Sequence, residues 1–308
     1  MRENEILSVI KSVTGNEYIG DDCAYLSDLG LVVSQDSLVE DIHFKLSYTT
    51  PYKLGYKSAM VNISDIAASG GRGKYMSIAL SLPQNTTSDF VKEFYKGLNS
   101  ALIKCGNIEI IGGDITGADK IMVSITVIGT DKDRKISSRS NAKTGHVIVT
   151  SGVHGSSAGG LELLKNDQKD DKLINAHLCP EAQLEFSGKI STNIKEDYAM
   201  MDSSDGLADA LLKIAQASDK TLMIDFNKVK YDSELKQLFP DNYKDMILYG
   251  GEDYQIIATI PEKLAEELGM SENIIGYVTD KKEFPVVIKN YDNQEICINP
   301  EKCFDHFG

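Results

Sequence analysis

The chain has 308 residues, which is enough for two domains of roughly 150 residues each. Its 46 Asp and Glu residues outnumber its 32 Lys and Arg residues and give a net charge of -14. Because such a surface repels the phosphates of nucleic acids and anionic membranes, we expect neither as a partner. Residues 1–6 carry acids and no apolar core, and no apolar run is long enough to span a bilayer. The sequence therefore predicts a soluble protein without a signal peptide.

The five cysteines are scattered along the chain and form no Cys-x-x-Cys pair. This pattern is typical of reduced thiols, so we expect a cytoplasmic protein. The histidines are not spaced as ligand pairs, and a zinc site is not expected. Cys23 lies within an Asp-Asp-Cys-Ala motif and is interpreted as a small packed residue.

Helices and strands alternate along the first half of the chain. The pattern predicts a helix at 5–13, a strand at 31–33 that ends at 34–36, a helix at 53–69, a strand at 75–82, a helix at 88–105, a strand at 108–111 that runs into 112–114, and a strand at 121–128. A charged stretch at 131–135 then indicates surface or linker. We place the domain boundary near 141–146 and expect two domains, at 1–140 and 141–308.

The predicted helix at 53–69 carries a polar stripe. Asn62, Asp65 and Ser69 recur at three- and four-residue spacing, while Ile63 and Ile66 lie on a neighbouring apolar face. The stripe either faces water or points into a site. Because it is short and Asp65 is its one charged residue, the second interpretation is favoured.

The second half begins with a predicted strand at 146–150, a glycine-rich loop at 151–160 and a helix from Leu161. Phosphate-binding loops use this order, because helix amides favour anions. The loop lacks Gly-Lys-Ser/Thr and the dinucleotide fingerprint, so its signal is weak. Further along, Ser204 or Asp205 is expected to cap a helix. The last predicted elements are a strand at 254–260, a helix at 262–268 and a strand at 286–289.

Short aspartate clusters recur beside glycines where apolar runs end. They are Gly20-Asp21-Asp22, Gln35-Asp36, Gly112-Gly113-Asp114, Asp202-Ser203-Ser204-Asp205-Gly206 and Gly250-Gly251-Glu252-Asp253. Glycine lets a backbone approach a ligand closely, and a carboxylate at a strand end points into the crevice where open sheets bind ligands. An acidic protein that binds phosphates must neutralise them locally, which divalent metal held by aspartates can do. Each cluster alone is typical of a solvated turn, but their recurrence predicts a metal-phosphate site.

Eight short motifs follow one another in a characteristic order along nearly the whole chain. They are Gly20-Asp21-Asp22-Cys23-Ala24, residues 34–44 from Ser34-Gln35-Asp36 to His43-Phe44, Asn62-Ile63-Ser64-Asp65-Ile66-Ala67-Ala68, Gly112-Gly113-Asp114, Arg139-Ser140-Asn141-Ala142-Lys143, Ser204-Asp205-Gly206-Leu207, Gly250-Gly251-Glu252-Asp253-Tyr254 and Phe304-Asp305-His306-Phe307-Gly308. In this order they resemble the signatures of the thiamine-monophosphate kinase family. They fit that family better than its superfamily, which includes aminoimidazole ribonucleotide synthase and selenophosphate synthetase.

The resemblance implies a mixed α+β, two-domain fold of the aminoimidazole ribonucleotide synthase-like type. In that superfamily the N-terminal domains pair into a dimeric β-barrel-like core with ATP near the interface, and a C-terminal α/β sandwich domain closes over the site. The implied partners are ATP, thiamine monophosphate and a second copy of the chain. The implied reaction moves the γ-phosphoryl group of ATP to thiamine monophosphate and gives thiamine diphosphate and ADP, with several Mg2+ ions.

The resemblance also assigns roles to single residues. The implied metal-binding positions are Asp22, Ser34, Gln35, Asp36, Asp65, Asp114, Asp202 and Asp205. The implied ATP positions are Gly113, Asp114, Arg139, Ser204 and Tyr95, and the substrate positions are His43, Glu252 and Phe304. An acid and an aromatic ring suit a cationic thiazolium. No catalytic base is assigned, because the acceptor is a phosphate that is mostly deprotonated at neutral pH.

The chain departs from the family pattern at several positions. Gln35 stands where Thr is usual, Gly117 where Arg is common and His146 where Asp is common. Residues 180–183, Pro-Glu-Ala-Gln, lack the usual Pro-x-Pro-Arg. The loss of two cationic side chains weakens predicted phosphate binding unless another Lys or Arg replaces them.

Two other functions stay open at this point. One is a different ATP-using enzyme of the superfamily, such as aminoimidazole ribonucleotide synthase, against which the motifs at 250–254 and 304–308 argue. The other is a catalytically silent nucleotide-binding or scaffolding protein, which the missing arginines would suit. The retained aspartates favour an enzyme, because a silent protein has no need to hold so much negative charge together.

Overall fold

The computed structural model of the protein describes residues 3–16, 18–292 and 294–306. Phe307 and Gly308, which close the last predicted motif, lie outside the described residues. None of the helices in the described ranges is long and apolar enough to cross a membrane.

The described residues form two β-sheets and the helices that pack on them. The strands are β1 (Ala24–Leu26), β2 (Leu31–Val39), β3 (Arg72–Leu82), β4 (Glu109–Gly117), β5 (Met122–Thr130), β6 (Val147–Thr150), β7 (Ala199–Asp202), β8 (Lys220–Asp225), β9 (Ile256–Ile260), β10 (Ile274–Asp280), β11 (Val286–Tyr291) and β12 (Gln294–Cys297). The α-helices are α1 (Glu3–Thr14), α2 (Pro51–Ala68), α3 (Ser88–Lys104), α4 (Ser156–Lys165), α5 (Asp171–Leu178), α6 (Leu184–Asn193), α7 (Leu207–Ser218), α8 (Ser233–Leu238), α9 (Tyr243–Tyr249) and α10 (Glu262–Glu267). The predicted α+β class is confirmed.

The first sheet contains five strands in the order β1-β2-β5-β3-β4. Neighbouring strands are antiparallel except β3 and β4, which are parallel. Helix α2 packs on this sheet through fully buried Ile63 and Ile66. It begins where the Thr50 side chain accepts a hydrogen bond from the backbone N–H of Lys53, and Pro51 suits its first turn. The chain turns away after α2 at Gly70, whose φ is 82°.

Two strands run further than the sequence predicted. The strand expected at 31–33 continues to Val39, so Ser34, Gln35 and Asp36 lie within β2 and not at its end. Ser34 and Asp36 lie on the same face of β2 as buried Val32 and Leu38, so this packed face includes polar residues. Likewise β4 runs through Gly113, where an added Cβ would lie 1.8 Å from the carbonyl oxygen of Ile78. Only glycine allows the two strands to approach so closely.

The second sheet contains seven strands in the order β12-β11-β8-β10-β6-β9-β7. Its strands β6, β7 and β9 are fully buried, and apolar side chains pack on both faces. One of these layers includes Ala67 and Ala68 from the end of α2. Helix α2 therefore contacts both sheets, and residues at its C-terminal end lie at their junction.

Two helix starts also differ from the predictions. Helix α4 begins at Ser156 and not at Leu161, because the carboxylate of Asp253 accepts hydrogen bonds from the N–H groups at its start. Helix α7 has Gly206 at its N-cap, with φ 103° and no side-chain cap. Ser204 and Asp205 therefore do not cap this helix.

Candidate active site

Three carboxylates from different elements meet at the junction of the sheets. Asp22 precedes β1, Asp65 lies in the last turn of α2 and Asp202 ends β7. One oxygen of each lies within 4.8 Å of the others. We call these three residues the acidic cluster. Hard carboxylate oxygens at this spacing are the ligands that Mg2+ prefers in proteins.

Burial and mutual repulsion set the protonation of the cluster. Burial, followed by the charges of Asp36, Asp202 and Asp22, raises the pKa of Asp65 well above its usual range. Burial and the charge of Asp22 raise the pKa of Asp202 to about 7. Both shifts mean that the charged cluster is unfavourable without a cation, and a divalent ion would relieve that repulsion.

Neighbouring polar groups hold the carboxylates in place. The Ser34 hydroxyl donates a hydrogen bond to Asp65, and the Ser64 hydroxyl donates one to Asp202. The side-chain oxygen of Asn62 accepts a hydrogen bond of 3.0 Å from the backbone N–H of Asp36. The polar stripe of α2 is therefore not a solvated face, and Asn62 is fully buried.

Asp36 extends the acidic cluster towards a cavity. Burial, together with the charges of Asp205 and Asp22, raises the pKa of Asp36 to about 6. Asp36 and Asp205 both line the cavity, which has a volume of about 370 Å³. The ammonium of Lys213 lies 3.1 Å from Asp205 and 2.7 Å from Asp209. A resident cation therefore already partners Asp205.

Arg139 brings positive charge to the cluster from the opposite side. Its guanidinium Nη2 lies 2.9 Å from Oδ1 of Asp22, and its backbone N–H donates to Asp21 at 2.7 Å. The side chain is 17% exposed and is therefore partly accessible. A cation beside metal-binding carboxylates suits a polyphosphate ligand.

One end of the cavity is aromatic. His43 accepts a hydrogen bond at Nδ1 from the backbone N–H of Val39 at 3.0 Å. The His43 ring centroid lies 5.2 Å from that of His306, and Phe304 lies 4.8 Å from His306. All three rings line the cavity. His306 is a pocket residue that sequence reasoning missed, although it belongs to the same terminal motif as Phe304.

Glu252 also lines the cavity. Its Oε1 lies 2.7 Å from Nζ of Lys57, and its Oε2 lies 3.3 Å from Nδ1 of His177. Burial alone would raise the pKa of Glu252, but the charge of Lys57 lowers it below the usual value. Glu252 has a φ of 65°, and its N–H donates to the Ser204 carbonyl at 2.6 Å. Neither Lys57 nor His177 was predicted from the sequence as a site residue.

Other predicted residues lie away from the cluster within one chain. The side chain of Gln35 hydrogen-bonds Ser124 and Thr126. Tyr95 lies on α3, with its ring centroid 5.5 Å from that of Phe94. Gly113 and Asp114 lie on the exposed strand β4.

The register of the first sheet shows how far Asp114 lies from the cavity. Asp36 pairs with Ile125, Ile125 with Ile78, and Ile78 with Gly113. These three steps of about 4.8 Å put Gly113 roughly 14 Å from Asp36. Within one chain, Asp114 therefore lies on the edge strand of the first sheet, three strands away from Asp36.

Two of the departures from the family pattern, His146 and Gln183, make local hydrogen bonds. His146 is 6% exposed, and its Nδ1 lies 3.2 Å from the carbonyl oxygen of Thr259. The amide of Gln183 donates to the backbone oxygen of Glu181, whose carboxylate pairs with Lys104 at 2.6 Å. These side chains stabilise local structure and add no cation to the cavity.

The glycine-rich loop at 151–160 has no anion-binding role that the geometry supports. The carboxylate of Asp253 accepts from the N–H of Gly155 at 2.6 Å and from that of Ser157 at 2.8 Å. An internal anion therefore occupies the start of α4, where a phosphate would bind.

We compared the chain first with a family model and with solved structures. Residues 20–130 match the family model "AIR synthase related protein, N-terminal domain". A solved structure of AaThiL complexed with AMPPCP and TMP superposes with a TM-score of 0.89 at 30% identity, and the match covers 99% of this chain and 97% of that one. A crystal structure of thiamine monophosphate kinase from Aquifex aeolicus superposes with a TM-score of 0.83 at 29% identity, covering 97% and 100% of the two chains.

Curated relatives define the family within that class. The thiamine-monophosphate kinase of Bacillus subtilis (strain 168) is 37% identical over 307 residues, which cover 94% of this chain and 93% of that protein. The enzyme of the same name from Synechococcus elongatus is 31% identical, covering 99% and 96%. The chain belongs to the thiamine-monophosphate kinase family, and the resemblance seen in its motifs is confirmed.

Proposed function

We propose that the protein transfers the γ-phosphoryl group of ATP to thiamine monophosphate and releases thiamine diphosphate and ADP. The observation that carries this proposal is the meeting of Asp22, Asp65 and Asp202 beside a cavity that also holds Glu252 and Phe304. The kinase relatives, one of them solved with AMPPCP and TMP, support the same reaction.

The acidic cluster would hold Mg2+, with Asp36 as a further ligand. Its donors are carboxylate oxygens, and the raised pKa values of Asp65 and Asp202 show that the site lacks charge balance of its own. Bound Mg2+ supplies charge screening between two phosphate groups that repel each other. The spread of acids over the cluster, Asp36 and Asp205 fits more than one ion.

The side chains contribute binding and alignment. Arg139 lies beside Asp22 and is partly exposed, so it would contact the nucleotide phosphates. Glu252 and the aromatic rings line the same cavity and would hold the thiamine end. Since the acceptor phosphate is its own charged nucleophile, catalysis needs in-line placement and no protein base.

We also propose a homodimer formed through the first sheet. Strand β4 is exposed along its whole length, and it includes Ile111 at 54% and Ile115 at 72% exposure. Apolar residues on an open sheet edge favour pairing with another chain. In such a pair, Asp114 and Tyr95 of one protomer would complete the nucleotide site of the other. This arrangement explains why the two residues lie outside the cluster of a single chain.

Two broader proposals accompany this function. We propose that residues 1–140 form the nucleotide- and metal-binding domain and residues 141–308 the second domain, because each range contains one of the two sheets. A cytoplasmic location suits a protein with an ATP co-substrate and thiols that form no disulfide among the described residues.

The test is turnover by purified protein with ATP and Mg2+, with product followed by chromatography. We expect thiamine diphosphate from thiamine monophosphate and much slower product formation from free thiamine, whose alcohol would require a positioned base. Faster phosphorylation of free thiamine would overturn the assignment. ATP hydrolysis without transfer to either acceptor would instead favour another member of the superfamily.

A further inference from the structure

Lys57 on α2 is a buried cation behind the cavity wall. Its side chain is 4% exposed, and its Nζ lies 2.7 Å from Oε1 of Glu252. The contact is a close ion pair between the ammonium and the carboxylate. A buried ammonium without a counter-charge is strongly unfavourable, so Lys57 and Glu252 depend on each other.

His177 does not balance the negative charge of Glu252. Its Nδ1 lies 3.3 Å from Oε2 of Glu252 and 3.0 Å from Oγ of Ser157. Burial and the charge of Lys57 lower the pKa of His177 to about 4, so the imidazole is neutral at pH 7. His43 and Tyr48 also interact electrostatically with Glu252, but neither is a permanent cation. Lys57 therefore supplies the counter-charge.

A paired Glu252 has a different recognition chemistry from a free carboxylate. The Lys57–Glu252 pair carries no net charge, so it provides little attraction for a cationic thiazolium. Glu252 still has oxygens that accept hydrogen bonds, and His177 and Ser157 line the same part of the cavity. This set of groups suits an uncharged heterocycle with an amine, which in thiamine is the aminopyrimidine.

We propose that Lys57 is a positioning residue that holds Glu252 as an oriented, charge-balanced acceptor for the aminopyrimidine of the substrate. The inference rests on the proposed function and names the part of the substrate that this end of the cavity reads. It replaces the expectation that Glu252 attracts the thiazolium.

The position of Lys57 on α2 gives this role a geometric consequence. Asp65 of the acidic cluster lies eight residues further along the same helix, a rise of about 12 Å. The helix therefore fixes the spacing between the metal-binding end of the site and the carboxylate that holds the substrate. A site on one rigid element keeps such a spacing better than a loop does.

The first test is a double-mutant cycle of Lys57→Met, Glu252→Gln and the two combined. Lys57→Met leaves a buried carboxylate unbalanced, so we expect the KM for thiamine monophosphate to rise about tenfold or more while the KM for ATP changes less than about twofold. Glu252→Gln should raise the same KM. The double variant should be no worse than Glu252→Gln alone, because the two residues act as one unit.

Matched controls separate positioning from general damage. Lys263→Met removes a lysine that is 87% exposed, and it should leave both KM values unchanged. If Lys57→Met does not fold, the KM for thiamine monophosphate is compared between the double variant, in which both residues are neutral, and Glu252→Gln. An unchanged KM for thiamine monophosphate in folded Lys57→Met, or a double variant clearly worse than Glu252→Gln, would overturn the proposal.

The second test uses two analogues of thiamine monophosphate with unmodified protein, measured by titration calorimetry. One analogue has an uncharged ring in place of the thiazolium, and the other lacks the exocyclic amine of the pyrimidine. We expect the loss of the amine to weaken binding more than the loss of the positive charge, because an unpaired buried acceptor is unfavourable. The opposite order would contradict the proposal. Binding without turnover would refute the proposed function but leave this inference intact.

Discussion

Asp65 and Asp253 are two buried aspartates whose surroundings differ in kind. Both oxygens of Asp253 accept backbone N–H groups at the start of α4, at 2.6 and 2.8 Å. Asp65 receives one hydroxyl hydrogen bond, from Ser34, and otherwise faces the carboxylates of Asp22 and Asp202. The fold therefore supplies backbone donors to Asp253, whereas Asp65 faces other carboxylates, as a proposed metal ligand would.

The pKa values of the two groups have different origins. Burial raises the pKa of Asp253 to about 7, and the N–H groups of Ser157 and Gly155 partly offset it. Burial and three neighbouring carboxylates raise the pKa of Asp65. A raised pKa alone thus does not distinguish an aspartate with a structural role from one that could bind a metal ion. The groups that face the carboxylate make the distinction.

The largest expected effect is on turnover. Asp65→Asn and Asp114→Asn should each lower kcat by at least about a thousandfold, or about 4 kcal/mol, because each removes a proposed metal ligand. Activity at saturating Mg2+ measures this, with the exposed Asp241→Asn as a control. Near-normal turnover in both variants would mean that neither residue binds a metal ion that the reaction needs.

The second-largest expected effect is on dimer formation. It tests the proposal that Asp114, which lies far from Asp65 in its own chain, completes the site of the other protomer. Light scattering at micromolar concentration should give a dimer for the unmodified protein and monomers for Ile115→Asp, because the new charge would be buried in the proposed interface. Asp241→Asn should remain dimeric. A monomeric unmodified protein would remove the premise that one protomer completes the site of the other.

Without metal, the two substitutions Asp253→Asn and Asp65→Asn should change the stability of the protein in different directions. Asp253→Asn leaves one backbone N–H without its acceptor, so we expect a loss of about 1–3 kcal/mol. Asp65→Asn relieves repulsion and should hold or raise the melting temperature. Calorimetry of both variants without metal provides the comparison. A larger loss of stability in Asp65→Asn than in Asp253→Asn would contradict the structural role assigned to Asp253 and the metal-binding role proposed for Asp65.

The pH dependence should be the smallest effect. The pKa values of Asp36, near 6, and Asp202, near 7, lie above their unfolded values, so the folded protein binds protons that the unfolded chain releases. Metal-free stability should therefore fall as the pH rises from about 4 to 7. The stabilisation by Mg2+ should be greater at pH 8 than at pH 5.5, because protons then no longer compete for the ligands. Equal stabilisation at both values would argue against metal binding at these residues.

The sequence predicted much of the fold and part of the site, and local patterning explains which part. Helix α2 was predicted within two residues at each end, because its polar stripe and its apolar face recur at helical spacing. The motifs also identified Asp22, Asp65 and Asp202, which the fold brings together. The early end predicted for β2 was wrong, because polar residues inside a strand look like a loop until the helix that covers them is known.

The rest of the site depends on contacts between distant segments. Lys57 and Glu252 pair across the two halves of the chain, and no local spacing marks such a partner. The same holds for Asp253, which looked like a site acid in the motif but caps α4. The weak phosphate-loop pattern at 151–160 was misleading, because the N–H groups of this loop bind the carboxylate of Asp253 and not a phosphate.

The most direct test of the account is a Mg2+ titration of the melting temperature at pH 8 for the unmodified protein, Asp65→Asn and Asp253→Asn. The account predicts that Mg2+ stabilises the unmodified protein and Asp253→Asn by similar amounts, although the latter melts lower throughout. It predicts little or no stabilisation of Asp65→Asn, which has lost a central ligand. Equal stabilisation of all three proteins would contradict the claim that the acidic cluster is the metal site.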